Sequence, residues 1–116
     1  MKSLDELVLS FANNVIGHTD AIERGDAEAA SRHGKKYLRA FMQLRIVGDT
    51  GREALSKLFK HERSDVRVMA AAFLLKYNNE EAKRVLKAEA SKKGLIAFEA
   101  GECLKRWDEG VWALDE

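Results

Sequence analysis

Apolar or small residues recur in alternating steps of four and three at Leu4, Val8, Phe11, Val15, His18 and Ile22, and again at Ala30, Gly34, Tyr37, Phe41 and Leu44. Steps of this kind keep each set on one side of an α-helix, so each segment predicts a helix with a single buried seam. The Gly25-Asp26 pair between them interrupts the pattern with turn-forming residues, which makes the two segments an antiparallel hairpin. Such a hairpin sets Ile22 against Ala30, Val15 against Tyr37 and Phe11 against Phe41, and puts His18 beside His33 and Gly34.

After Gly48 the chain repeats itself. The segment 66–77, VRVMAAAFLLKY, lies over 96–107, IAFEAGECLKRW, with Ala70 on Ala100, Ala71 on Gly101, Leu74 on Leu104 and Tyr77 on Trp107. The preceding helices match with a one-residue slip, Ala54, Leu55 and Phe59 over Val85, Leu86 and Ala90. Small residues at 70, 71, 100 and 101 let helices approach closely while their large neighbours fill the layers, which is the physics of stacked helical pairs.

Caps and stops set the boundaries. Ser3 with Glu6 and Thr50 with Glu53 fit capping boxes, Asn78 with Glu81 is a weaker version, and Asp26 and Ser64 are further N-cap candidates. Gly25, Gly48, Gly94 and Gly110 stand where helices must stop. Six helices follow, roughly 4–24, 27–47, 51–60, 65–77, 80–93 and 95–109. The predicted architecture is all-α, a HEAT-like helical repeat in one domain over 1–116: a hairpin cap at 1–48, a first repeat at 49–77, and a second repeat with the C-terminal tail at 78–116. The tail at 111–114 is a candidate closing cap, and Trp107 is read as core.

The segments 51–55 (GREAL), 65–67 (DVR), 69–72 (MAAA), 94–95 (GL), 97–100 (AFEA) and 104–107 (LKRW), with Glu109, Gly110 and Trp112, carry a family resemblance in their order. Together they resemble the small bacterial domain of unknown function numbered 2019, over nearly the whole chain. The resemblance implies a compact HEAT-like helical domain and assigns no activity and no catalytic residues.

With 46% hydrophobic and 34% charged residues and no proline, the composition is that of a globular helical protein rather than a disordered one. No stretch approaches a membrane span and the N-terminus shows no secretory pattern, so a cytoplasmic protein without membrane contact is expected. The net charge of +1 conceals an uneven distribution: residues 1–28 carry two basic and six acidic side chains, residues 29–48 five basic and none acidic, and residues 94–116 two basic and six acidic.

Three function classes compete for these features. A nucleic-acid binder would use a basic face of Arg32, Lys35, Lys36, Arg39, Arg63 and Arg67, but interspersed Glu53, Glu62 and Asp65 and the absence of aromatic-basic motifs weaken that footprint. An enzyme needs a nucleophile, a base or a metal cluster. Cys103 aligns with the inward Phe73 and reads as an inert buried thiol. His18 and His33 form the one pairing that could hold or sense a metal, but nothing completes a ligand set, and they read as a core-edge pair. His61 falls in a turn, as a surface or capping residue. No catalytic residue, metal site or cofactor is therefore expected. What remains is a non-enzymatic scaffold that binds another protein, in its most concrete form an immunity-type protein that neutralises a bacterial toxin; small HEAT-like proteins of that kind supply the analogy. Its candidate partner-binding residues are Asp108, Glu109, Trp112, Asp115 and Glu116, an acidic edge suited to a basic partner, in which Trp112 either closes the core or serves as an aromatic anchor at the interface.

Overall fold

Helix α1, Leu4–Glu23, opens on the expected capping box: the Ser3 hydroxyl accepts from the Glu6 amide and the Glu6 carboxylate accepts from the Ser3 amide, each at 3.2 Å. Helix α2, Ala27–Val47, opens on Asp26, whose carboxylate accepts from the Ala29 amide at 3.0 Å. In the computed structural model, which describes residues 2–111, these are followed by α3, Asp49–Ser56, α4, Ser64–Leu74, α5, Asn79–Ala90, and α6, Leu95–Asp108. The described residues contain six α-helices and no strand, as the periodicity predicts. None of these helices is long and apolar enough to cross a membrane.

Some boundaries differ from expectation for local reasons. Gly48, at φ +93°, is both the last cap of α2 and the first of α3. This left-handed residue reverses the chain in one step, so α3 begins at Asp49 and Thr50 lies inside its first turn, where it forms no capping box. The end of that segment, Lys57–Lys60, tightens into a 3-10 turn in which Leu58 and Phe59 are buried. Ser64 is the first residue of α4 rather than its cap, and the Asp65 carboxylate takes the Val66 amide instead. Asn78 caps α5 by position but without a side-chain hydrogen bond.

The chain forms two compact units divided between Leu58 and Phe59. In the first, α1 and α2 pair along their length and α3 packs on both. Phe11, Val15, Phe41 and Leu44 are buried, and the Tyr37 ring meets Phe11 at 5.8 Å and His18 at 5.7 Å, both edge-on. The hairpin tip departs from the expected register. Ile22 is 46% exposed, and Ala21 takes its place in a cluster with Ala29 and Ala30, because helices this close to their turn leave room only for methyl groups.

In the second unit α4 packs on α5 and α6, which also pack on each other. Helix α4 is buried nearly all round, from Val66 through Leu75, as a helix apolar on every side must be. Ala70, Ala71 and Ala100 are fully buried, as the repeat alignment requires. Trp107, expected in the core, is half-buried, and its counterpart Tyr77 is 41% exposed; both lie near the ends of their helices, where burial runs out.

Candidate functional site

Of the six residues of the basic face read from the sequence, Arg63 and Arg67 lie in the second unit and are paired with carboxylates. Arg63 forms a two-point pair with Asp65, Nε to Oδ1 and Nη2 to Oδ2 at 3.1 Å each. Arg67 donates to both Glu89 carboxylate oxygens at 3.3 and 3.2 Å, to the Ser64 hydroxyl at 2.8 Å and to the His61 carbonyl. Lys92 completes the cluster on Glu89 at 2.9 Å. Glu89 and Asp65 are the buried charged residues of the described chain; Arg67, its side chain 19% exposed, is an inner counter-ion of Glu89, and Arg63, 38% exposed, pairs with Asp65 from the surface. The His61 ring nitrogen accepts from the Arg63 amide at 3.0 Å, the turn-capping role expected of it.

Helix α2 keeps the remaining four basic residues. Arg32 lies 3.8 Å from Glu28 at helical spacing, while Lys35, Lys36 and Arg39 are exposed and have no ion pair among the described residues. The same exposed side carries Leu38, Met42 and Ile46, which are 42%, 51% and 84% exposed, with Val47 beside them at 50%. Steps of four make these three a continuous apolar stripe on a helix whose other side is fully used in the core. Sequence reading missed this stripe, although its spacing was visible: helical spacing of apolar residues occurs twice in α2, along two different sides.

The histidine pair is brought to neighbouring turns and then put to structural use. The His18 Nδ1–H donates to the Ala30 carbonyl at 2.9 Å, with Gly34 against its ring. The His33 Nδ1–H donates to Asn14 Oδ1 at 2.9 Å, an orientation fixed because Asn14 Nδ2 donates to the Ser10 carbonyl at 2.8 Å. The His33 ring fills the place a side chain at Gly17 would take. Among the described residues no group of three or more histidine, cysteine or acidic side chains is placed to hold a metal ion.

Cys103 is buried, and its thiol is pushed up to about 12 by that burial, against a weaker pull from Arg106. At pH 8 a free thiol ionises appreciably and this one does not. Its reaction with Ellman's reagent in the native protein should be roughly a thousand-fold slower than in denaturant; equal rates would refute the burial. Of the acidic edge, Asp108 ends α6 and Glu109 caps it, both exposed, while Trp112, Asp115 and Glu116 lie outside the described residues. The 111–114 tail likewise falls largely outside them.

No curated protein matches the chain significantly. Its structure is similar to the crystal structure of the protein RPA1889 from Rhodopseudomonas palustris CGA009, with a TM-score of 0.90 and 26% sequence identity, covering 97% of this chain and 94% of that one. The family model "Domain of unknown function (DUF2019)" matches residues 5–108, the family whose motifs the sequence resembles. With nearly its whole described length matched, the chain belongs to the DUF2019 family.

Proposed function

We propose that this protein is a non-enzymatic helical scaffold that binds another protein, and that the outer side of α2 is its docking surface. The observation that supports this reading most is the Leu38, Met42 and Ile46 stripe, flanked by the unpaired Lys35 on a helix whose basic residues far outnumber its acidic ones. A row of exposed large apolar groups costs solubility unless a partner covers it, and surrounding cations select an acidic, amphipathic partner segment.

In this reading the architecture is HEAT-like, a reading supported by the 66–77 and 96–107 alignment and by the burial of its small residues Ala70, Ala71 and Ala100. Toxin neutralisation is its most concrete form, with Asp108 and Glu109 as a second contact of opposite charge. A single buried, unpaired cysteine suits the reducing cytoplasm. Nucleic-acid binding is the competing reading; it rests on Lys35, Lys36 and Arg39, since Arg63 and Arg67 are committed to carboxylates.

The test compares the immobilised chain with its Met42→Asp/Ile46→Asp variant. Wild type should retain one protein stoichiometrically in the presence of nuclease, and the variant, folded by circular dichroism, should bind it about a hundred-fold more weakly. Co-expression with an adjacent toxin should protect cells only with wild type. Retention of nuclease-sensitive material alone, or of the same protein equally by both chains, would overturn the proposal.

A further inference from the structure

Beside the docking stripe, and independent of it, α1 and α2 leave a cleft of 310 Å³ between them. Leu7 and Ala40, both buried, form its floor. Its walls are Ser10 and Asn14 from α1 and Lys36, Arg39 and Gln43 from α2, with Lys2 at the same opening. The helical spacing explains the arrangement, since 7, 10 and 14 share one side of α1, and 36, 39, 40 and 43 one side of α2.

Three cations line this cleft and no carboxylate does. The acidic side chain electrostatically coupled to Lys2 is Glu6, whose carboxylate is held by its own helix cap at the Ser3 amide. Asn14 is spent: its oxygen accepts the hydrogen bond from the His33 Nδ1–H, and its amide nitrogen donates to the Ser10 carbonyl and, at 3.4 Å, to the Ser10 hydroxyl oxygen. That leaves the Ser10 hydroxyl hydrogen free to donate into the cleft, beside the Gln43 amide, the Lys36 ammonium and the Arg39 guanidinium.

The geometry points to a binding site for a small phosphate-bearing ligand, with one phosphate clamped by Arg39 and Lys36 and hydrogen-bonded by Ser10. A planar guanidinium meets two phosphate oxygens at once, and a dianion also uses the Lys36 ammonium, a second charge that a monocarboxylate would leave unmatched. A cleft of this volume falls at the small end of ligand pockets, large enough for a phosphate and a short organic group.

Pyrophosphate is the probe. Titrated into the full chain at low salt, it should shift the backbone amide resonances of Ser10, Lys36, Arg39 and Gln43 in a saturable way, with a Kd below about 1 mM. Arg39→Gln and Lys36→Gln should each weaken it roughly ten-fold, while Lys83→Gln on α5 leaves it unchanged. Met42→Ser/Ile46→Ser, which strips the apolar groups of the docking stripe without adding charge beside Arg39, should leave pyrophosphate binding intact, so the two proposals fail separately. Non-saturable shifts, equal weakening by Lys83→Gln, or binding of a single-stranded oligonucleotide where pyrophosphate does not bind would each overturn the assignment.

Discussion

Gly51→Ala should lower the stability of the chain by about 3 kcal/mol in urea denaturation, although it adds one methyl group and replaces a poor helix former by the best one. Gly51 is buried in the first turn of α3, against α2. A Cβ there would sit 2.8 Å from the carbonyl carbon and 3.1 Å from the Cα of Leu44, and closer still to the Leu44 oxygen. The obstacle is helix backbone, in the last turn of α2, which cannot rotate aside as a side chain can. Gly101→Ala is the control. It too lies within a helix, but its nearest new neighbour would be the Ala90 methyl at an ordinary 4.0 Å, so helix propensity dominates and the change should stabilise by about 0.5–1 kcal/mol. Equal effects from the two substitutions would show that α3 does not approach α2 this closely.

Glu89→Ala should cost about 3–5 kcal/mol, because it leaves Arg67 and its guanidinium without the carboxylate that compensates its burial. The side chain of Arg67 is 19% exposed and that of Glu89 6%, so water cannot easily replace the lost partner. Arg67→Met/Glu89→Met removes both charges and should recover most of the loss, since an apolar pair of similar volume carries no desolvation penalty. The same cluster sets an acid limb. Burial pushes the Glu89 carboxyl up, but the hydrogen bonds from Arg67, Lys92 and Ser64 outweigh it and hold the group below its ordinary value. A carboxylate lowered in the folded state stabilises fully above its unfolded pKa of about 4.3 and loses that contribution as pH falls through the folded value. Stability should therefore decline below about pH 5, and Glu89→Gln, less stable at neutral pH, should show a flatter decline. Parallel pH profiles for the two proteins would place the acid sensitivity elsewhere.

Much of the fold was legible because its determinants are local. Gly25, Gly48, Gly94 and Gly110, read as helix stops, are the glycines of positive φ among the described residues. The Ser3 box and the Asp26 cap each depend on residues three apart, a distance that sequence displays directly. The Thr50 expectation failed because a competing local choice, reversal at Gly48, started the helix two residues early. Ile22 failed for a different reason: periodicity permits either a step of three or of four from His18, and only the separation of the helices at their tip selects Ala21.

The candidate site was less legible, since it depends on what each side chain finds nearby. Arg63, Arg67, Lys36 and Arg39 are alike as letters in a sequence. The structure ties Arg67 to Glu89, 22 positions away, and leaves Arg39 open to a cleft. The sequence by itself determined the helical class, the number of helices and the seam of the first hairpin, because apolar period and capping chemistry act within a few residues. Only the tertiary structure decided which cations are buried as counter-ions and which remain available, because that choice depends on burial and on partners brought together by folding.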